Sequence, residues 1–134
     1  MINFNYRLFI IGFLATVLFG CDVPGRLLIK NRTSRTIMYR QLSTQTQLVG
    51  SNETSFVIHA DSTRGILLGF GYIWDGEGIN SYASNTDLIE IIYADSTSVL
   101  LDDRPEIISF LKTGKHGLLK KKLKITLRSP RLKP

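Results

Sequence analysis

A hydrolase needs a nucleophile and a base, and histidine, the most frequent general base, occurs only twice in this chain of 134 residues. The two histidines, His59 and His116, stand in none of the motifs Gly-x-Ser-x-Gly, His-Glu-x-x-His or Ser-x-x-Lys that mark hydrolases. Alternation along a predicted strand places His59 on the same face as Val57 and opposite Phe56 and Ile58, which is typical of a structural or surface residue. His116 is expected in a loop or at a helix end. The sequence therefore predicts no catalytic residue, and the protein is not expected to be an enzyme.

Carboxylates gather in two places, at Asp75 and Glu77 and at Asp102 and Asp103. Two such loops meeting at one end of a β-sandwich could bind Ca²⁺ through hard oxygen ligands. Neither has EF-hand spacing, and polar turns at strand ends account for these acids equally well. No metal and no other cofactor is therefore predicted.

The single cysteine, Cys21, excludes an intramolecular disulfide, a Cys-x-x-Cys redox pair and a zinc site built from several cysteines. It directly follows an uncharged run, LFIIGFLATVLF, at residues 8–19 and then Gly20. As a helix, those twelve residues would span about 18 Å, which is short of the ~30 Å hydrocarbon core of a bilayer. A positively charged start, a short apolar core and a small residue at its end predict a secretory signal peptide at residues 1–20.

The end of this run, Leu18-Phe19-Gly20-Cys21, resembles the lipobox of bacterial lipoproteins. The resemblance implies cleavage between Gly20 and Cys21, followed by attachment of diacylglycerol to the Cys21 thiol and acylation of its new amino terminus. Several acyl chains hold a protein firmly at a membrane, whereas one chain binds only marginally. The implied partner is therefore the membrane itself. Asp22 does not decide which one, and the expected location is the bacterial cell envelope, with the outer membrane favoured over the inner.

Charge is distributed unevenly over the chain. Residues 22–40 contain five Lys or Arg and one acidic residue. Residues 41–106 contain two Lys or Arg and ten acidic residues, and residues 107–134 contain nine Lys or Arg and no acidic residue. The last segment supplies the candidate partner-binding residues Lys120, Lys121, Lys122, Lys124 and Arg128. They suit a solvated outer face, anionic headgroups near the anchor, or an acidic protein partner whose encounter the charge would speed. Nucleic acid would suit the charge as well, but an exported, anchored protein is not expected to meet it.

The remaining pattern is mostly β. Short apolar runs bounded by turn residues predict seven strands, at residues 27–30, 35–42, 54–60, 65–74, 87–94, 99–101 and 122–128. Asp75-Gly76-Glu77-Gly78 is predicted to be a turn or exposed loop. One helix is expected near residues 104–113, capped by Asp103 and with Pro105 in its first turn. The expected fold is a small, mainly antiparallel all-β sandwich.

This order resembles that of small envelope lipoproteins of bacteria whose function is unknown. The shared features are a signal peptide with Cys, an early Leu-x-Ile-x-Asn segment (residues 27–31), a Gly/aromatic strand ending in Trp74 and a late Lys-rich strand. The resemblance implies an envelope-facing sandwich and brings no catalytic residues with it. It divides the chain into a signal peptide (1–20), a lipidated Cys and linker (21–26), a sandwich (27–128) and a basic, Pro-containing tail (129–134).

The sequence thus favours a lipid-anchored envelope protein that acts by binding or structural interaction. One alternative is a carrier of a small ligand or metal, or an enzyme, with a pocket near His59, Trp74 and the acidic turns. A second alternative is an immunity-type inhibitor of a secreted toxin.

Overall fold

The computed structural model describes residues 23–44 and 52–129. The strands are β1 (Arg26–Asn31), β2 (Ile37–Ser43), β3 (Glu53–Ile58), β4 (Thr63–Leu67), β5 (Thr86–Ile92), β6 (Ser98–Leu101), β7 (Lys115–His116) and β8 (Lys122–Leu127). The helices are α1 (Gly76–Ser84) and α2 (Arg104–Lys112), and a 3₁₀ helix spans Leu118–Lys120. Among the described residues, no helix combines the length and the hydropathy needed to span a membrane.

The strands form two sheets of four. Sheet A has the order β4-β1-β8-β7 and sheet B the order β3-β2-β5-β6. Neighbouring strands are antiparallel, except that β1 and β8 run parallel, with Leu27 opposite Leu123 and Ile29 opposite Ile125. A parallel pair needs a crossover connection, and here all the elements from β2 to the 3₁₀ helix lie within it.

Alternation along the strands gives each sheet one buried face. In β8, for example, Leu123, Ile125 and Leu127 are buried, while the Lys124 and Thr126 side chains between them are exposed. The inner faces and both helices share one core that includes Tyr39 and Trp74, both fully buried. The Trp74 indole N–H donates to the carbonyl oxygen of Arg26 at 3.0 Å, so this large side chain is buried without an unpaired donor.

Asn31, the last residue of the Leu-x-Ile-x-Asn segment, joins the two sheets. Its Nδ2 donates to the carbonyl oxygens of Arg35 at 2.7 Å and of Ile58, in sheet B, at 2.9 Å. Its Oδ1 accepts from the backbone N–H of Thr33 at 2.8 Å, which closes an Asx turn between β1 and β2. A fully buried asparagine with these partners is a structural residue.

The all-β sandwich is confirmed, as is the helix with Asp103 as its N-cap and Pro105 in its first turn. Two details of the strands are wrong. Residues 23–44 and 52–129 contain eight strands rather than seven, because residues 115–116 form the short strand β7. The predicted strand at 65–74 ends at Leu67, and the chain then turns through Gly71, whose φ of 80° is unfavourable for other residues.

The loop predicted at residues 75–78 is also wrong, because it begins helix α1. The Asp75 carboxylate accepts a hydrogen bond from the N–H of Gly78 at 2.8 Å and caps the helix. Ile79, Tyr82 and Ala83 then share its buried face. Of the two glycines in this segment, Gly78 is required by close packing, because a Cβ atom there would lie 1.8 Å from the carbonyl oxygen of Ile73.

Candidate functional site

Sheet A brings together two basic segments that are far apart in the chain. Because β1 and β8 are neighbours, Lys30 lies opposite Thr126 and Leu28 opposite Lys124. On the other side of β8, Lys115 of β7 also lies opposite Lys124. The residues between them along β1 and β8 are buried, so these cationic positions belong to the outer face of the sheet.

A groove of about 440 Å³ lies on this outer face. We call it the basic groove, and it is lined by Lys30, Arg32, Thr113, Lys115, Lys124, Thr126 and Arg128. Five of its seven residues are cations and none is an acid. Within residues 23–44 and 52–129, none of these five cations forms an ion pair. An anion entering the groove would meet cations from three strands and the Thr126 hydroxyl, which can donate a hydrogen bond, whereas the Thr113 hydroxyl already donates to the carbonyl oxygen of Phe110 at 2.6 Å.

The structure separates the residues predicted to bind a partner. Lys124 and Arg128 line the basic groove. Lys122 occupies the same face of β8 but at its start, opposite Arg26. Lys120 and Lys121 precede the strand, and their carbonyl oxygens accept from the N–H groups of Trp74 and Arg26. The predicted lipidation and cleavage residues Cys21 and Gly20 lie outside the described residues, as does the tail beyond Ser129.

Sequence reasoning missed both threonines of the groove and three of its five cations, namely Lys30, Arg32 and Lys115. The excess of cations in residues 22–40 is a signal for the first two, but only the pairing of β1 with β8 shows that they meet the C-terminal cations. Lys115 belongs to a strand of two residues, which is too short to recognise from a pattern.

The histidines lie apart from this groove. His59 follows the end of β3 and therefore shares no strand face with Val57, which corrects the prediction. It is exposed, and its Nδ1 lies 3.5 Å from the Thr36 hydroxyl. His116 belongs to β7 rather than to a loop or helix end, and it is exposed as well. Within residues 23–44 and 52–129, neither histidine forms an ion pair with an acid.

His59 and Trp74 are not brought together in one pocket. Ser62 bonds both to His59 and to Asn31, which places His59 beside the end of β1. Trp74 donates to Arg26 at the start of the same strand. The separation is therefore about the length of β1, roughly 17 Å for a strand of six residues.

The two acidic clusters have structural explanations. Asp75 caps α1, and Asp103 caps α2 by accepting from the N–H of Glu106 at 2.7 Å. Glu77 and Glu106 lie in the first turns of the helices, where the helix dipole favours an acid. Among the described residues, no three His, Cys, Asp or Glu side chains are close enough together to hold a metal ion.

A second cleft, of about 480 Å³, lies between the β1–β2 turn and the β5–β6 turn. Its charged residues are Arg35 and Asp95, of opposite sign, and the rest of its lining is neutral. Hydrogen bonds from the Thr97 side chain and backbone, with a smaller contribution from Arg35, lower the pKa of Asp95. This cleft is larger than the basic groove, but its opposite charges offset each other.

Comparison of the chain with protein-family models, curated proteins and solved structures gave no match. The fold and the site geometry therefore carry the functional argument.

Proposed function

We propose that this protein is anchored in the bacterial cell envelope by lipid on Cys21 and binds an acidic segment of a partner protein in the basic groove. The observation that carries the proposal is a groove with five cations, no acid and no internal ion pair among the described residues. Five like charges repel one another, and the fold gains nothing evident from placing them together. An acidic ligand would remove that repulsion. The protein acts by binding rather than by catalysis.

The position of the groove supports a protein partner over the headgroups of the membrane that holds the anchor. β1 begins at Arg26, five residues after Cys21, and runs away from that point. Measured from Arg26 along the chain, Lys30 is four residues away, about 13 Å, and Arg32 is six residues away, about 20 Å. The parallel strand β8 carries Arg128 in the same direction. Lys30, Arg32 and Arg128 thus lie toward the end of sheet A that is distal to the proposed anchor, whereas Lys124 and Lys115 lie level with Leu28, about 7 Å beyond Arg26. The outer membrane is the favoured location.

Site-specific photo-crosslinking of the full-length protein in its own membranes tests the binding proposal. A photo-reactive residue at Thr126, inside the groove, is compared with one at Ser55 on β3, which is exposed on sheet B. We expect the Thr126 position to yield a defined product whose partner peptide is rich in Asp and Glu, and the Ser55 position not to yield it. Equal products at both positions, or a partner peptide without acids, would refute the acidic-partner proposal.

A pair of matched variants measures the contribution of charge. Lys124→Gln with Arg128→Gln should weaken binding of the recovered acidic peptide about tenfold, which corresponds to ~1.4 kcal/mol, and flatten its salt dependence. The control, Arg64→Gln with Arg104→Gln, removes the same charge from exposed positions outside the groove. An equal loss in both variants would mean that net charge alone drives the association.

Mass spectrometry of the amino-terminal peptide tests the anchor separately. The expected peptide begins at Cys21 and carries the mass of diacylglycerol and a further acyl chain. An unmodified Cys21 would refute the anchor and leave the groove to be judged by crosslinking alone.

A further inference from the structure

Large apolar side chains are exposed at one end of the sandwich. Nine such residues are exposed in the described part of the chain, and five of them lie near the start of β1. We call these five the apolar rim, which consists of Val23, Leu67, Phe70, Ile73 and Leu119. The most exposed members are Leu119, at 77%, and Phe70, at 72%. The other four exposed residues, Met38, Val57, Val99 and Leu100, belong to sheet B.

Backbone hydrogen bonds hold the segments of the apolar rim together. The N–H of Leu68 donates to the carbonyl oxygen of Gly25 at 2.7 Å, which joins the chain before β1 to the chain after β4. The N–H of Trp74 donates to the carbonyl oxygen of Lys120 at 2.8 Å, which joins the third segment. Phe70 and Ile73 lie between these two connections in the chain. The three segments that carry the exposed apolar residues are therefore joined to one another at this end of the sandwich.

The backbone under Leu119 is strained. Leu119 and Lys120 have φ values of 57° and 52°, the left-handed region that residues with a Cβ rarely adopt. Two consecutive residues keep this conformation because Lys120 bonds to Gly117 through its N–H and to Trp74 through its carbonyl oxygen. The strain holds a leucine in solvent, where it does nothing for the core. Such strain is commonly found at functional surfaces.

Cations accompany the apolar rim. Arg26 lies opposite Leu67 on one side and Lys122 on the other, and its N–H donates to the carbonyl oxygen of Lys121. With Lys120, four cations are thus adjacent to the rim. Apolar side chains that enter the interface, surrounded by lysines and arginines, are the pattern of proteins that rest on anionic lipid.

We propose that this end of the sandwich docks onto the membrane, with the apolar rim in the headgroup region and Arg26, Lys120, Lys121 and Lys122 against anionic headgroups. Val23 is only two residues after Cys21, a reach of about 7 Å, so the proposed lipid attachment would bring this end to the bilayer. In that respect the inference rests on the proposed function. It adds an orientation, because β1 and β8 would rise from the membrane and would place Lys30, Arg32 and Arg128 of the basic groove at the far end of sheet A.

Fluorescence quenching tests the docking. The full-length protein, isolated from membranes, is reconstituted into vesicles that contain phosphatidylglycerol and brominated lipid. A tryptophan at the rim, Phe70→Trp, is compared with a tryptophan on sheet B, Leu100→Trp, since Leu100 is also half exposed. The buried Trp74 gives the same background in both. We expect quenching of Phe70→Trp to exceed that of Leu100→Trp at least twofold. Equal quenching, or none at Phe70→Trp, would overturn the docking surface.

A second variant separates membrane contact from folding. Glycine adopts a positive φ without strain, so Leu119→Gly should keep or raise the thermal midpoint while it reduces quenching of the Phe70→Trp reporter. Unchanged quenching would count against Leu119 as a membrane contact. The mass of the Cys21 peptide is measured on the same sample. Modified Cys21 without quenching would overturn the docking and leave the anchor intact, whereas quenching with unmodified Cys21 would overturn the anchor and leave the docking surface intact.

Discussion

Two polar regions of this molecule are built on opposite principles. The first is the buried polar cluster, in which Gln41 Oε1 accepts from the hydroxyls of Tyr39 at 2.8 Å and Tyr82 at 2.7 Å. Gln41 Nε2 donates to Ser43 at 3.2 Å and to Thr86 at 3.4 Å. All four hydrogen-bonding positions of that amide are thus used within the protein. The second is the basic groove, whose cations have no ion-pair partner in the described chain.

The difference shows what each region is for. A buried polar group without a partner is costly, so the buried polar cluster has to be complete before anything binds. Exposed charges are solvated and can remain unpaired at little cost in free energy, so a group of them can stay unpaired until a ligand binds. The arrangement of sheet B strengthens the contrast, because its Arg40 is paired with Glu53 at 2.7 Å and with Glu90 at 3.5 Å. Among the described residues, the one cation in the strands of sheet B is paired with two acids, whereas the five cations of the basic groove on sheet A form no ion pair.

The largest expected effect is in the buried polar cluster. Gln41→Leu removes the acceptor of two buried tyrosine hydroxyls, and each unpaired buried group costs roughly 1–3 kcal/mol, so we expect a loss of about 3 kcal/mol in unfolding free energy. Lys124→Leu, the same kind of change in the basic groove, should alter stability by no more than about 0.5 kcal/mol. Urea unfolding of both variants measures the difference. Similar losses would mean that the groove is a structural element.

The buried polar cluster should also make the stability of the fold depend on pH in the alkaline range. Burial raises the pKa of Tyr39, and of Tyr82, above the ordinary value of 10.0. The neutral hydroxyls stabilise the fold fully below pH 10, and that stability is lost as the pH rises, because the unfolded chain then releases protons that the folded chain retains. Unfolding at about pH 11 should release roughly two protons from this pair. Titration of tyrosine absorbance in folded protein and in urea measures this. Burial also raises the pKa of Tyr72 and of Tyr93, which add to the total signal, so Tyr82→Phe should lower the number of protons released on unfolding by about one. Ionisation of both tyrosines near pH 10 in the folded protein would contradict it.

Features that depend on neighbouring residues in the chain can be predicted from this sequence more completely than contacts between residues that are far apart in the chain. The alternation of residues 122–128 identifies a strand with a cationic face, and two residues of the groove follow from it. Nothing local shows that this strand pairs with β1, almost 100 residues earlier, so Lys30 and Arg32 could not be placed.

The buried polar cluster was equally hidden, because Gln41 and Thr86 are 45 residues apart and polar residues in a strand ordinarily indicate an exposed face. Helix α1 was missed for a different reason. Gly76 and Gly78 lower helix propensity, yet the Asp75 cap and the burial of Ile79, Tyr82 and Ala83 outweigh that cost. Burial against other parts of the fold therefore decides the environment of Gln41 and contributes to the formation of helix α1, and neither effect can be recognised from local residue preferences.

The smallest expected effect compares the two outer faces by reversing one charge on each. Arg40→Glu would place three carboxylates together and should lower the urea midpoint, whereas Lys124→Glu relieves repulsion and should leave the midpoint unchanged or raise it. Both variants change the net charge equally, so a difference between them comes from the neighbours of each residue. Because these charges are exposed, 1 M salt should shrink the difference. If both midpoints fall by the same amount, Lys124 has stabilising partners within the protein, and the groove does not need an acidic ligand to offset its charge.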